Sequence, residues 1–111
     1  MSEAPHDRFA GLVGFDWDAG NLFKSRQKHG VAPIECEQVF FNRPLVVAAD
    51  ERHSTQERRF YALGRTDQHR LLFVVFAVRR DRVRVISART MSQKERRIYE
   101  KAAQEASKVQ E

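Results

Sequence analysis

Apolar and polar positions alternate with a period of two through much of the second half of the chain. From Arg58 to Arg65 they place Arg59, Tyr61, Leu63 and Arg65 on one side and Arg58, Phe60 and Ala62 on the other, the pattern of a half-buried strand. Leu71 to Val78 is apolar throughout, which predicts a central strand covered on both faces. Arg82-Val83-Arg84-Val85 resumes the alternation after a tight turn at Arg80-Asp81 and predicts a strand to Arg89. On that strand Arg82 and Arg84 share a face with Ile86 and Ala88, and Arg89 falls on the other. Leu45 to Ala49 is a short β-branched run, and Val13 to Trp17 is a candidate further strand. Asp50 to Gln56 reads as a polar loop and Thr66 to His69 as a turn.

Helical periods flank these strands. Asp18 suits the N-cap of a helix that runs to about His29 and stops at Gly30. Ala19, Leu22 and Phe23 share one face of it, and Asn21, Lys24, Ser25 and Lys28 form a polar stripe. Pro33 fits the first turn of a second helix, which reaches about Phe41, buries Ile34, Val39 and Phe40, and is broken by Asn42-Arg43-Pro44. Ser92-Gln93-Lys94-Glu95 matches the capping box that opens a last helix, to about Val109. The expected class is α+β: two N-terminal helices, an antiparallel meander of about four to five strands, and a C-terminal helix. Residues 1–11 read as a flexible leader and 12–111 as one domain.

Composition narrows the function. A chain of 111 residues, 41% hydrophobic and 32% charged, holds one modest core. No apolar run approaches the ~20 residues of a membrane span, and Met1 to Arg8 lacks the apolar region of a secretory signal. Cys36 is the only cysteine, so no internal disulfide forms; it reads as a small core residue, and its solitude fits a reducing cytoplasm. The net charge of +5 is local. Between Arg79 and Arg97 eight basic residues face only Asp81 and Glu95, a surplus of six, so the rest of the chain is slightly acidic. A basic surface on folded elements selects a polyanion, and a phosphate backbone is the usual one. His6, His29, His53 and His69 have no ligand-like spacing, no glycine-rich phosphate loop precedes a helix, and Ser54 and Ser87 lack the context of a nucleophilic triad. No metal or other cofactor is expected.

Three blocks stand together: Phe15-Asp16-Trp17-Asp18 with Asn21, Lys24 and Lys28-His29-Gly30-Val31; His53-Ser54 with Glu57-Arg58-Arg59-Phe60 and Leu63-Gly64-Arg65-Thr66; and Arg82 to Arg89 with Met91-Ser92, Lys94-Glu95-Arg96 and Tyr99. In combination they resemble the BrnT family of toxins from bacterial toxin–antitoxin modules, over about residues 13–101. The resemblance implies a RelE-like fold and a metal-independent endoribonuclease that stops translation. It also implies a cognate antitoxin, BrnA, a ribbon-helix-helix protein that masks the toxin. The pair represses its own promoter, and the antitoxin supplies most of the DNA contacts.

RNA is cleaved without metal when its 2′-hydroxyl loses a proton to a base, cations neutralise the phosphate, and an acid protonates the leaving oxygen. Lys24 and Lys28, one turn apart, are either a solvated helix face or a phosphate clamp. His29 is a cap at the helix C-terminus, an acid–base group or an antitoxin contact. Glu57 either pairs with Arg59 or Arg84 across the sheet or takes the 2′-hydroxyl proton. Arg65 either stabilises phosphate or transition-state charge or forms a surface or structural ion pair, and Arg84 is set beside it as a catalytic candidate. Arg59, Arg79, Arg82 and Arg89 are assigned to RNA contact, with anchoring of the last helix a second role for Arg89. Trp17 and Phe15 are expected in the core, and Tyr99 in the core or against the antitoxin. The competing reading is a non-catalytic module whose basic face docks an acidic antitoxin or nucleic acid. A DNA-binding regulator is disfavoured by the lack of a helix-turn-helix pattern.

Overall fold

Alternation along three consecutive strands, broken once in the last of them, sorts the side chains into a dry face and a charged face, and the fold follows from covering the first. The computed structural model describes residues 14–22, 29–53 and 57–110. Its elements are β1 (Gly14–Phe15), α1 (Ala19–Leu22), α2 (Pro33–Phe41), β2 (Val46–Ala49), a short 3-10 turn at Glu51–His53, β3 (Arg59–Arg65), β4 (Leu71–Arg79), β5 (Arg82–Thr90) and α3 (Gln93–Gln110). They form a five-stranded sheet in the order β1-β5-β4-β3-β2. The class is α+β, consistent with a RelE-like fold. The strands β2 to β5 are the expected antiparallel meander. β1 departs from it: Gly14 and Phe15 run parallel to Arg82 and Val83, so the sheet is mixed. Two paired residues are too few to show a period, and the chain had given no sign of strand direction there.

On the dry face α2 and the loop before it lay Val31, Cys36 and Val39 against Val47, Phe60, Ala62, Leu72, Val74, Phe76, Val83, Val85 and Ala88. Phe40 meets Phe76 edge-on at 5.0 Å, and Phe76 stacks on Phe60 at 5.6 Å. Each large side chain buried here stabilises the fold by about 1.5–3 kcal/mol, and this layer is the main source of cohesion. Ile34 does not join it and is 58% exposed. It sits more than half a helical turn away from Cys36, outside the stripe made by Cys36, Val39 and Phe40. Phe15 is half-buried against Phe40 and Phe41, and half-buried Trp17 donates its indole N–H to Glu37 at 2.8 Å.

Among the described residues the other face is covered at one end only. There α3 brings Tyr99, after Met91 of the preceding loop, onto Leu63, with Val46, Leu71 and Phe73 around them, and the Tyr99 hydroxyl donates to the Pro44 carbonyl at 2.8 Å. Leu72, Val74 and Phe76 of β4 are accordingly buried, while Leu71, Phe73 and Val75 are only half-buried. The expectation that β4 is sealed on both faces is corrected: its apolar residues on the second side are floor, not interior.

A register shift decides where the arginines point. Val75 pairs with Ser87 but Phe76 with Val85, so Ile86 is an extra residue in β5. One extra residue swaps the faces of everything beyond it. Ala88 is therefore in the dry core, and Arg89 lies on the same face as Arg82 and Arg84, not on the opposite one. Arg89 donates two hydrogen bonds to Glu95, at 2.8 and 2.9 Å. Glu95 also accepts from the Ser92 backbone N–H while Ser92 Oγ accepts from that of Glu95, the reciprocal cap that opens α3.

Two measurements test this account. Gly64 packs so closely on α2 that a Cβ would stand 2.6 Å from Val39 Cγ1 and 3.3 Å from its carbonyl oxygen. Val39 is fully buried, so Gly64→Ala should cost about 1–3 kcal/mol in urea unfolding. The Arg89 guanidinium holds the Glu95 carboxyl below its ordinary value of 4.5. Its contribution is complete above that value and is lost as pH falls through the lower folded one. Glu95→Gln should lower stability by about 1 kcal/mol at neutral pH and flatten the loss of stability expected of the parent protein below pH 4.5.

Candidate functional site

The end of the charged face that α3 leaves open carries the arginines. β-Pairing sets Arg79 of β4 opposite Arg82 of β5, and Ala77 between Arg59 of β3 and Arg84 of β5. These four arginines therefore project from three adjacent strands toward one side. Alternation placed them there individually; only the strand order makes them neighbours.

Carboxylates are built into the same patch. Glu57, just before β3, takes two hydrogen bonds from Arg79, at 2.9 and 3.0 Å. The sequence had offered Arg59 or Arg84 as its cross-strand partner; the ion pair forms with Arg79 because that residue closes β4 beside the start of β3. The Arg79 guanidinium holds the Glu57 carboxyl below the usual carboxylate range, and Arg59 and Arg84 add to the effect through space. Arg84 is held from the other side. Its guanidinium donates to both carboxylate oxygens of Asp18, at 3.0 and 3.2 Å, and reaches Asp16 at 3.5 Å. Only 15% of its side chain is exposed, and its hydrogen bond keeps the Asp18 carboxyl below the usual range. Arg82 is exposed and extends along Gly14, where there is no side chain to obstruct it.

Local structure explains why these acids are so placed. Asp18 caps α1 as expected, accepting from the N–H groups of Gly20 and Asn21 at 2.8 and 3.3 Å. Asn21 returns the bond by accepting from the Asp18 N–H at 2.7 Å. Asn21 was expected on a solvated stripe, yet it is 6% exposed, and its amide donates to the carbonyls of Asp16 and Val85 at 3.0 and 2.9 Å. It thereby ties α1 to β5 and sets both aspartates beside Arg84. The sequence carried an unread signal for this: Asp16 and Asp18 lie two apart in an extended segment and so face the same way.

The remaining candidates lie elsewhere. Arg65 pairs with Leu71, at the far end of the sheet, near enough to Tyr99 to act on it electrostatically. Arg89 is on the charged face, engaged by Glu95 and lying over the Phe73 ring at 4.3 Å. His29 is exposed, and its carbonyl accepts from Arg70, the residue before β4, at 3.3 Å. β4 spans roughly 25 Å from there to Arg79, so His29 is not gathered with Glu57. Arg70, not singled out from the sequence, also binds Glu35 and the Gly30 carbonyl, and so ties the entry of α2 to the strands. Lys24 and Lys28 lie outside the described residues. Cys36 is buried and its thiol is pushed up to about 12, mainly by burial, so it is a packing residue.

What the open patch offers chemically is dense positive charge tempered by carboxylates, on a rigid sheet, with flat half-buried rings next to it. Each guanidinium is a fork suited to phosphate oxygens, and the carboxylates on Arg79 and Arg84 are partners that an incoming phosphate can replace.

Comparison with known proteins agrees with that chemistry. No curated protein matches the chain. The family model described as the ribonuclease toxin, BrnT, of type II toxin–antitoxin systems matches residues 17–95, which include Asp18, Asn21, Glu57 and all four arginines of the patch. That match spans most of the chain, and the protein belongs to the BrnT family of type II toxin–antitoxin ribonuclease toxins.

Proposed function

We propose that this chain is a metal-independent endoribonuclease that stops translation in the bacterial cytoplasm and is held in check by a BrnA-like ribbon-helix-helix antitoxin. One observation carries the reading: Arg59, Arg79, Arg82 and Arg84 share a sheet face that α3 leaves open, on which Glu57 is held by Arg79. In this mechanism an RNA phosphate takes Arg79 from Glu57. Freed of its guanidinium and set beside a phosphate, the Glu57 carboxylate becomes a stronger base. It accepts the 2′-hydroxyl proton, the 2′-oxygen attacks the adjacent phosphorus, and the 5′-oxygen leaves. Arg79 and Arg84 stabilise the charge that builds on the phosphoryl oxygens, the largest single contribution expected of such a site. Arg59 and Arg82 hold neighbouring phosphates, and Arg65 and Arg89 extend the contact along the sheet. Lys24 and Lys28, outside the described residues, are assigned to the RNA strand or to protonating its leaving oxygen, and His29, remote from Glu57, to a more distant part of the strand.

The antitoxin in this reading covers the same face with an acidic segment, which makes the association salt-sensitive. Promoter DNA is met through the antitoxin. No described helix is long and apolar enough to cross a membrane.

A non-catalytic docking module is the second reading. The observation in its favour is that Arg79 and Arg84 are already engaged by carboxylates, which makes the patch less positive than its arginines alone suggest. Inducible expression in bacteria separates the two. The ribonuclease reading predicts growth arrest, rescue by the cognate antitoxin gene, and relief of arrest by Arg79→Ala or Glu57→Gln with the variants soluble and folded. Glu57→Gln should slow RNA cleavage by roughly 10²- to 10⁴-fold. A folded parent protein that neither arrests growth nor cuts RNA supports the docking module. Wild-type cleavage by Glu57→Gln removes Glu57 as the base.

A further inference from the structure

The open part of the charged face runs into a groove of about 580 Å³ between α3 and the strands β2 and β3. Its floor is apolar, made of Val46, Tyr61, Leu63 and Phe73, with Ile98 of α3 as a wall. Ile98 is 47% exposed. Across this floor lies an ordered stack. The Arg89 guanidinium lies 4.3 Å from the centre of the Phe73 ring. The Phe73 and Tyr61 rings follow, 5.5 Å apart and inclined by only 26°. Arg89 is fixed at its end by two bonds to Glu95. At the other end the residue paired with Tyr61 across to β2 is Ala48, a single methyl. Val46 and Asp50, two positions to either side of Ala48, line the groove together with Tyr61, so among the described residues the groove reaches the Tyr61 side chain beside that methyl.

A stack of guanidinium, ring and ring that ends at a groove has room for one more flat π system. The flanking charges say which kind. Tyr61 stands between Arg59 and Arg65 on one face of β3, cation, aromatic, cation, at intervals of roughly 7 Å and 13 Å along the strand. Lys94 and Arg52 line the same groove. Basic side chains flanking a half-buried ring at the edge of a groove match a strand whose bases alternate with phosphates, better than a peptide.

We propose that this groove is a nucleobase subsite for single-stranded RNA. One base stacks on the outer side of Tyr61 above Ala48, and Arg59 holds its phosphate toward the arginine patch. The assignment rests on the ribonuclease reading and deepens it: Tyr61 and Ala48 become the residues that select and position the nucleotide next to the cleaved bond.

The test uses the full chain with a short 2′-O-methyl RNA, which lacks the attacking hydroxyl, carrying one 2-aminopurine moved through successive positions. Stacking quenches that base's fluorescence, and anisotropy at several salt concentrations gives affinity and its salt slope. Quenching at one position is expected. Tyr61→Ala should abolish it and weaken binding roughly 10- to 100-fold, leaving the salt slope unchanged because no phosphate contact is lost. Ala48→Leu, which fills the slot and keeps the ring, should do the same, and Tyr61→Phe should keep both signals. A merely structural role for Tyr61 would leave Ala48→Leu without effect. The proposal is overturned if no position is quenched, if all variants bind as the parent does, or if they lose only antitoxin binding. Cleavage of ordinary RNA by the parent with indifferent Tyr61 variants removes the subsite alone; quenching without any cleavage removes the ribonuclease reading alone.

Discussion

Burial of one sheet face against α2 is the constraint on which everything else depends. Val74, Phe76 and Ala62 are fully buried there, together with Val39 of the helix. Because side chains alternate, a strand that commits its apolar residues to that layer has no choice about where the others go. The arginines at 59, 79, 82 and 84 are thereby driven to the opposite side, and adjacent strands bring them together. The site is in this sense a by-product of the core: a register slip in β5 would lose both at once. The extra residue at Ile86 shows how finely this is set, since it keeps Ala88 in the core while returning Arg89 to the charged face.

Four guanidiniums in one patch repel each other, and the protein reduces that repulsion with its own carboxylates. Glu57 on Arg79, and Asp16 and Asp18 on Arg84, hold the arginines in defined positions before any ligand arrives. Such half-exposed pairs contribute little to stability. Their value is geometric, since a fork already oriented loses less freedom when a phosphate replaces its partner. In the proposed mechanism the same exchange couples binding to acid–base strength at Glu57, whose carboxyl is depressed by its contact with Arg79. Asn21 belongs to this arrangement although it touches no arginine, because it fixes the segment that presents both aspartates.

Much of the architecture was legible in the sequence. Periodicity marked β3, β4 and β5, Pro33 and the Asn42-Arg43-Pro44 break bounded α2, and Ser92 with Glu95 marked the start of α3. What escaped was information that lives between elements. The parallel pairing of β1, the bulge at Ile86 and the partial cover of β4 depend on which strand lies beside which. Asn21 read as solvated because its partners are backbone carbonyls, one at Asp16 just after β1 and one at Val85 in β5. For the site, residue type and alternation identified the arginines and Glu57, but not that Arg79 is Glu57's partner. Family resemblance supplied the reaction. The aromatic stack between β3 and β4 carried no motif, since Tyr61 and Phe73 look like ordinary strand residues until the strands are paired.

The central claim is that this arginine-lined face, with Glu57 as base, cuts RNA through the RNA's own 2′-hydroxyl. The most direct test is to incubate the purified chain with a defined RNA in the presence of a metal chelator and determine the chemistry of the new ends. The account predicts 5′-hydroxyl and 2′,3′-cyclic phosphate ends, formed at a rate the chelator does not change. Ends bearing a 5′-phosphate, or cleavage that stops with the chelator, would contradict it.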